Sequence, residues 1–334
     1  MDDTITLAHG AGGRQTRELI EALILPRFAN PALNEMGDAA RITAADAPLL
    51  FTTDAFVIKP LEFPGGDIGK LAVCGTVNDL SVAGGRPRWL SCALVLEEGL
   101  PVAMLERLLD SLAATARTAG VQVVCGDTKV VERGAADGLF ICTSGVGTPL
   151  PGLERQPVRA GDRVLVSGPV GDHEAAVFRA RENVGRDMAL VSDCAPVNGL
   201  VAAMAPVAHG GLRVMRDPTR GGLATALNEL VHGSGCSVVL HEEAVPVRPE
   251  VRALCDLVGF DPYHLACEGR LVAIASPEAT PALLAALQAL PAGREAAVIG
   301  ELAGDGRGRV YLETAFGGGR VLGGIPGVQL PRIC

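Results

Sequence analysis

Strand-like apolar runs alternate with helical segments along this chain, and a proline-containing interruption divides them into two series. The interruption, TPLPGLERQPVRAGD at 148–162, has three prolines and little periodicity. Alternation of this kind predicts an α/β fold with sheets and helices in layers, and the interruption predicts a boundary between two domains. The first series consists of a helix at 14–28, a strand at 49–54, helices at 67–83 and 101–119, and strands at 121–127 and 139–147.

The second series begins with RVLVSG at 163–168. It continues with predicted helices at 173–183, 199–209 and 220–233 and predicted strands at 237–241, 270–275 and 309–313. From Phe316 the chain reads FGGGRVLGGIPGVQLPRIC, which predicts a flexible tail without regular structure and with little buried apolar surface. We therefore predict domains at 1–150 and 151–316 and a flexible tail at 317–334 that ends in Cys334.

Composition supports the α/β prediction and excludes some classes of partner. Of the 334 residues, 48% are hydrophobic but only 3% are aromatic, so aliphatic side chains must fill the cores, and 42 glycines indicate many tight loops. A net charge of −9 disfavours a nucleic-acid partner, but it permits a small phosphate ligand bound through Mg²⁺. The start of the chain has no signal-peptide pattern and no apolar run spans a membrane, so we expect a cytoplasmic protein without a membrane partner.

One of the nine cysteines differs from the rest. An odd number without a C-x-x-C pair does not resemble a disulfide framework, which favours a reducing compartment. Eight lie in apolar sequence, where cysteine usually acts as a small hydrophobic residue. Cys334 instead ends a glycine-rich segment, which predicts a reactive thiol whose pKa Arg332 lowers slightly.

Aspartates end several apolar runs of the first half. Asp54 ends TTD, Asp79 ends VND, Asp127 ends CGD, and Asp38 precedes a polar stretch. Aspartates that converge at strand ends form a hard-oxygen site for Mg²⁺. Each one also fits the alternative of a helix cap or turn.

The segment HGAGGRQT at 9–16 precedes the first predicted helix. Its Gly10, Gly12 and Gly13 would let backbone N–H groups cradle a phosphate at the helix N-terminus. Gln15 occupies the place of the third glycine of a dinucleotide fingerprint, so that motif is excluded. A glycine turn without a ligand is the alternative.

Two motifs of the second half combine charge with apolar or glycine-rich surroundings. RDPTRGG at 216–222, with Asp217, is typical of a phosphate or substrate loop, or of a helix cap. CEGR places Glu268 in an apolar neighbourhood, where it is either paired with Arg270 or raised in pKa and able to act as a general base.

Taken together, these segments resemble the hydrogenase maturation protein HypE family. The resemblance rests on FPGGDIGKLAVCGTVNDLSVAGGRPRWLSCALVLEEGLP, GDTKVVERG, RDPTRGG, CEGRLV and PRIC, and it covers essentially the whole chain. That family is related to aminoimidazole ribonucleotide synthetase, selenophosphate synthetase and thiamine-monophosphate kinase. The resemblance implies a two-domain PurM-like fold and a homodimer in which the sheet of the first domain pairs with its copy.

The resemblance also implies the reaction and its partners. The carbamoyltransferase HypF would load Cys334 with a carbamoyl group, ATP would drive its dehydration to a thiocyanate, and the HypC–HypD complex would receive cyanide for the iron of [NiFe]-hydrogenase. Phosphoryl transfer requires charge neutralisation, so Lys129 is a candidate cation or proton-handling group and Glu268 a candidate base. The implied metal ligands are Asp38, Asp54, Asp79 and Asp127, and the predicted nucleotide contacts also include Gly10, Gly12, Gly13, Asp67, Asn78, Gly126 and Thr128.

Three alternatives remain open at this stage. A selenophosphate synthetase would carry a cysteine or selenocysteine in its glycine loop, whereas the first cysteine here is Cys74. A thiamine-phosphate kinase would not need Cys334. A non-catalytic carrier of the carbamoyl or cyano group would need the tail but not the aspartates or GDTKV.

Overall fold

The structure, a computed structural model of this chain, describes residues 14–19, 21–22, 34, 39–44, 47–185, 187–314, 316–324 and 330–334. The two series of elements form two layered units of sheet and helix. The α/β, two-domain prediction is therefore confirmed, whereas the limits 1–150 and 151–316 remain predictions.

The first domain contains a mainly antiparallel sheet whose described strands follow the order β1-β2-β7-β5-β6, with β5 and β6 parallel. A short hairpin, β3–β4, lies outside that sheet. The elements of this domain are α1 (Arg14–Leu19), β1 (Ala40–Ala44), β2 (Ala47–Phe56), β3 (Glu62–Phe63), β4 (Gly66–Asp67), α2 (Ile68–Val82), β5 (Gly85–Glu97), α3 (Val102–Ala119), β6 (Gln122–Val131) and β7 (Leu139–Pro149).

Helix α2 is buried over nearly its whole length because it packs against the sheet, α3 and the second domain. Its first turn is fixed by Asp67, whose Oδ1 accepts a hydrogen bond from the N–H of Lys70 at 2.9 Å. Helix α3 buries Leu108, Leu112 and Ala116, so only one of its faces meets the core.

The opposite face of the first sheet is open. Along β2 the side chains of Thr52 and Phe56 are buried, whereas that of Phe51 is exposed, as alternation along a strand requires. On the same face as Phe51, which is 40% exposed, Trp89 of β5 is 44% exposed, and both residues pair with Val146 of β7. This domain therefore presents apolar side chains on an uncovered sheet face.

The second domain contains a sheet whose described strands follow the order β14-β13-β10-β12-β8-β11-β9, antiparallel except for the β10–β13 pair. Its elements are β8 (Arg163–Val166), α4 (Asp172–Glu182), α5 (Asn198–Ala208), β9 (Leu212–Arg216), α6 (Gly222–Val231), β10 (Ser237–His241), α7 (Pro249–Val258), β11 (Val272–Ala275), α8 (Thr280–Gln288), β12 (Ala297–Ala303), β13 (Val310–Glu313) and β14 (Gly319–Val321).

Helices cover both faces of this second sheet. Val164 and Val166 of β8 join the cluster around α6, while Leu165 joins the cluster around α5 and α8. Because both faces are buried, the central strands are apolar throughout rather than alternating.

Several elements differ from the sequence prediction. The sequence did not predict strands β5, β9 and β12 or helices α7 and α8. Strand β5 begins with Gly-Arg-Pro, which has weak strand propensity, and its pairing with β6 and β7 holds it extended. The prediction of no regular element after Phe316 is wrong, because β14 pairs with β13. The low strand propensity of this glycine-rich stretch is overcome by ladder hydrogen bonds.

Candidate active site

A cavity of about 230 Å³ lies between the two domains. The first domain lines it with the end of β2 and one face of α2. The second domain lines it with the loop before α6, with α6 itself and with Glu268. Cys334 completes the wall, so groups from both domains and from the last described residues meet at one place.

Asp54 and Asp79 present their carboxylates to this cavity. The hydroxyl of Thr76 donates to Oδ2 of Asp54 at 2.9 Å, and the hydroxyl of Thr52 donates to Oδ2 of Asp79 at 2.8 Å. Positions 52 and 54 share a face of β2, and positions 76 and 79 share a face of α2. The hydroxyl donors orient the carboxylates, and carboxylate oxygens are the ligands that suit Mg²⁺.

The loop at 216–222 turns sharply into α6. The N–H of Gly222 donates to the carbonyl of Thr219 at 2.8 Å, and Gly221 has a φ of +76°. A Cβ at position 222 would lie 2.5 Å from the backbone oxygen of Leu265, so only glycine fits there. This turn directs Arg216, Asp217, Thr219 and Arg220 to the cavity, as expected for a substrate loop.

The thiol of Cys334 lies inside the cavity and is not exposed on a free tail. The residue is 9% exposed, and Nε of Arg220 donates to its Sγ at 2.9 Å. Burial raises the pKa of the thiol to about 11, although the Arg220 guanidinium acts in the opposite direction. The expectation that Arg332 lowers this pKa is wrong, because Arg332 pairs with Asp137 instead.

Glu268 lies beside Cys334 and is 2% exposed. Its Oε1 has no hydrogen-bond partner among the residues that the structure describes. Burial raises the pKa of this carboxyl well above its usual value, and nearby Cys194 and Asp217 act in the same direction. Of the two alternatives for Glu268, the structure therefore supports a raised pKa. Arg270 is instead within 3.5 Å of Asp193.

The backbone on either side of Glu268 is anchored to the first domain. The side-chain amide of Asn78 donates to the carbonyls of Glu268 at 3.1 Å and Ala195 at 3.2 Å, and its oxygen accepts from the N–H of Val197 at 2.8 Å. Asn78, predicted to contact ATP, thus uses its donors and acceptor to position Glu268. Asp67, also a predicted contact, caps α2.

The predicted residues of GDTKV lie elsewhere. Asp127 and Lys129 stand on the exposed strand β6, where Nζ of Lys129 donates to Oδ2 of Asp127, and neither lines the cavity in the described part of the chain. Thr128 donates its N–H to Oδ1 of Asp127 at 2.8 Å. Gly126 permits β6 to approach β5 closely, since a Cβ there would lie 2.2 Å from the oxygen of Cys92. Gly10, Gly12, Gly13 and Asp38 lie outside the described residues.

Three further outcomes concern the cysteines, metals and membranes. Cys125 and Cys142 are exposed on the open sheet face, so the expectation that eight cysteines act as buried hydrophobic residues is wrong for these two.

Among the described residues, no group of three His, Cys, Asp or Glu side chains forms a metal cage. None of the helices described is both long enough and apolar enough to cross a membrane.

Sequence reasoning missed three groups that hold the last residues in place. Arg220 belongs to the RDPTRGG motif, which predicted a phosphate or substrate loop but assigned no role to Arg220. His173 and Arg181 gave no signal, although both contact backbone atoms about 150 positions further along the chain. Their role depends on a packing arrangement that local sequence does not encode.

Comparison with known proteins identifies the domains. Residues 36–148 match the N-terminal domain of AIR synthase related proteins, and residues 159–313 match the C-terminal domain. The carbamoyl dehydratase HypE of Rhodobacter capsulatus is 49% identical over 340 residues, covering 100% of this chain and 99% of the relative. The carbamoyl dehydratase HypE of Escherichia coli K12 is 45% identical over 339 residues, covering 99% and 100%.

Solved structures agree with these relatives. A HypE chain crystallised as a HypE–HypF complex has a TM-score of 0.87 at 41% identity and covers 92% of this chain and 99% of its own. A HypE structure in complex with ATP has a TM-score of 0.82 at 45% identity and covers 99% and 100%. A thiamine monophosphate kinase from Aquifex aeolicus, at 20% identity with a TM-score of 0.65, covers 90% of this chain and 98% of its own and shares the fold.

Proposed function

This chain belongs to the carbamoyl dehydratase HypE family, and from that premise we propose that it dehydrates an S-carbamoyl group carried on its own Cys334. The observation that carries the proposal is the position of the Cys334 thiol, which shares one cavity with Asp54, Asp79, Arg220 and Glu268. A thiol placed among phosphate- and metal-binding side chains suits a tethered substrate.

The chemistry follows from the difficulty of removing oxygen from a thiocarbamate. ATP supplies a phosphoryl group to the carbonyl oxygen, which then leaves as phosphate, and loss of the two nitrogen protons converts S–C(=O)–NH₂ into S–C≡N. Such transfers depend mainly on positioning and charge neutralisation. The positive guanidinium of Arg220, already bound to Sγ, is placed to stabilise negative charge that develops on the neighbouring oxygen.

Glu268 is our candidate for moving the protons. Its unpartnered Oε1 is buried close to Cys334, and its raised pKa makes it a stronger base once ionised than an ordinary carboxylate. The Asn78 contacts hold its backbone in place. We therefore propose that this carboxyl accepts a nitrogen proton of the carbamoyl group.

Mg²⁺ fits the cavity by the chemistry of its donors. Asp54 and Asp79 supply two oriented carboxylates, and Mg²⁺ usually binds to one or two carboxylates together with substrate phosphates. When bound, the metal would neutralise phosphate charge. Because no three-residue cage is formed in the described residues, we propose that the ion is held with the nucleotide rather than alone.

A homodimer is proposed from the open face of the first sheet. Phe51 and Trp89, which both pair with Val146 on that face, are 40% and 44% exposed. A second copy packed on this face would cover these side chains and also bury the Asp127–Lys129 pair. We propose that Asp127 and Lys129 act in a site that two copies complete together.

The proposed partners follow the same sequence of events. HypF loads Cys334 with the carbamoyl group, and the HypC–HypD complex accepts the cyano group. A non-catalytic carrier remains the second candidate, since a docked thiol alone would serve it; the oriented pair Asp54 and Asp79 favours the enzyme.

The test separates loading from dehydration. The chain is loaded by HypF with carbamoyl phosphate, purified, and incubated with and without ATP and Mg²⁺, and the peptide containing Cys334 is then weighed by mass spectrometry. The proposal expects loss of one water from this peptide, with release of phosphate, only when ATP is present. A carbamoyl group that persists in ATP, or that is transferred without phosphate release, would favour the carrier.

A further inference from the structure

Residues 330–334, here called the docked segment, are held through their backbone. The N–H of Lys59 donates to the carbonyl of Arg332 at 3.2 Å, and the N–H of Val57 donates to that of Cys334 at 3.0 Å. Two donors two residues apart meet two acceptors two residues apart, which is the spacing of paired extended strands. The docked segment therefore pairs with residues 57–59, which directly follow β2.

Helix α4 supplies side-chain donors for the remaining carbonyls. The guanidinium of Arg181 donates to the carbonyls of Pro331 and Arg332, while its Nε donates to that of Lys59 at 2.7 Å. Nε2 of His173 lies 2.7 Å from the carbonyl of Ile333. Four consecutive carbonyls, 331 to 334, are thus each bound.

His173 acts here as a neutral donor. Its ring is fully buried, and burial lowers its pKa. Nδ1 lies 2.8 Å from the hydroxyl of Ser192, so the tautomer with the proton on Nε2 serves Ile333 and accepts from Ser192. The ring also packs edge-on against Phe63, which fixes its orientation.

These contacts fix the position of the segment. Its backbone bends at Arg332, where φ is +60°, so the pairing with Val57 and Lys59 does not continue as a regular strand. Leu330, Ile333 and Cys334 are all buried in the core cluster of the first domain. Apolar burial and the carbonyl contacts therefore act together to hold the sulfur beside Arg220.

The docked position conflicts with the need to load the thiol. At 9% exposure, Cys334 is closed to the active site of another protein. Loading by HypF therefore requires release of the segment, whereas dehydration requires its return. Burial also raises the pKa of the docked thiol, so a released thiol, with its more ordinary pKa, is the better nucleophile.

We propose that Arg181 and His173 are positioning residues that set the balance between the docked and released segment, so that the same contacts promote dehydration and oppose loading. This inference rests on the proposed function. Weakening the contacts should shift the two half-reactions in opposite directions, an outcome that a general loss of folding would not produce.

Four variants test the inference. Arg181→Ala removes three hydrogen bonds, Arg181→Lys keeps the charge but not the forked geometry, and His173→Gln keeps a donor of reduced reach. The matched control is Arg179→Ala, because Arg179 belongs to the same helix and donates to the carbonyl of Gly185, outside the docked segment.

The first readout needs neither ATP nor a partner. Alkylation of Cys334 by iodoacetamide is followed by peptide mass spectrometry, and hydrogen exchange is followed at the amides of Val57 and Lys59. Arg181→Ala should increase both the Cys334 alkylation rate and the exchange of these amides about tenfold, which corresponds to about 1.4 kcal/mol of docking free energy. Arg181→Lys and His173→Gln should give smaller increases, and Arg179→Ala none.

The second readout measures the half-reactions. Arg181→Ala should be loaded by HypF several-fold faster at limiting HypF, and the preloaded variant should lose water several-fold more slowly at saturating ATP. Unchanged alkylation and exchange in all three test variants, or half-reactions that move in the same direction, would overturn the inference. If alkylation rises but loaded wild-type chain never loses water, the docking inference stands and the proposed function fails.

Discussion

Arg220 and Cys334 are joined by a hydrogen bond of 2.9 Å from Nε to Sγ, although 114 positions separate them in sequence. The contact connects a glycine-rich loop of the second domain to a residue whose carbonyl accepts a hydrogen bond from Val57 of the first domain. It places a permanent positive charge where a loaded carbamoyl group would carry its oxygen. The catalytic predictions below begin from this pair.

Replacing Arg220 with alanine should slow dehydration of the loaded chain about 10²-fold, the usual effect of removing one donor from a developing negative charge. Arg220→Lys should recover part of the rate because it keeps the charge. Single-turnover loss of water from the Cys334 peptide measures the effect. Arg155→Ala, an exposed arginine between the domains, is the control, and an Arg220→Ala rate equal to that of the control would contradict the role.

Glu268 should make dehydration depend on pH. Because burial raises the pKa of this carboxyl well above its usual value, it ionises at higher pH than an ordinary carboxyl, and the wild-type rate should rise with pH as the ionised base forms. Glu268→Gln cannot accept a proton and should lower the rate by about 10² to 10⁴ without this pH dependence. Rates measured across pH at saturating ATP test this. A Gln variant with the wild-type profile would exclude Glu268 as the base.

Glu174 offers a stability prediction distant from the chemistry. Burial raises the pKa of this carboxyl from 4.5 to about 7, although the N–H of Ala266 donates to it at 2.8 Å. The folded state therefore binds more protons than the unfolded state between these values, so stability falls as pH rises through this window. Glu174→Gln keeps an acceptor for Ala266 and removes the ionisation cost, on the order of 3 kcal/mol above pH 7.

Denaturant unfolding of the wild type and Glu174→Gln at pH 5 and pH 8 checks this sign. The variant should be the more stable protein at pH 8 and should lose its advantage at pH 5. An equal difference at both pH values would show that packing, not ionisation, determines the effect.

The open sheet face should control association. Trp89→Glu places a charge on a residue that is 44% exposed on the open face of β5, so it should leave the fold intact but prevent a second copy from packing there. Light scattering should report a dimer for the wild type and a monomer for the variant, with unchanged circular dichroism. Wild-type chain that is monomeric at micromolar concentration would contradict the proposed dimer.

Mixing two inactive variants tests whether the dimer completes the site. In a mixed dimer, the Lys129→Ala subunit keeps its Cys334 and the Cys334→Ser subunit keeps its Lys129. These two intact residues form one complete site only if they act across the interface. Random mixing should then restore about a quarter of wild-type dehydration, since half of the dimers are mixed and each has one complete site. No recovery would place Lys129 in the same subunit as the thiol that it serves, whereas full activity of Lys129→Ala by itself would place Lys129 outside the reaction.

Local patterns in the sequence were sufficient for much of the fold. The predicted helices at 67–83 and 101–119 match α2, at 68–82, and α3, at 102–119, to within one residue. The apolar residues of α3 recur at helical spacing because one of its faces meets the core, whereas α2 is buried over nearly its whole length. Pairing partners decided the elements that were missed: β14 consists of Gly319–Val321, which lacks strand propensity and pairs with β13. Propensity is local, whereas ladder hydrogen bonds come from distant chain.

The candidate site was likewise predicted only in part from the sequence. By itself, the sequence marked Asp54, Asp79, Glu268 and Cys334, since a carboxylate at the end of an apolar run or a lone thiol after glycines is visible without neighbours. Only the tertiary structure decided that Arg270 lies near Asp193 and does not pair with Glu268. It also decided that Asp127 and Lys129 lie on an exposed strand. The contact between Arg220 and the Cys334 thiol depends on it as well. The tertiary structure likewise decided that Arg181 binds carbonyls about 150 positions away. Burial and charge pairing depend on which surfaces pack together, and the packing of two domains and a docked segment leaves no periodic trace in the sequence.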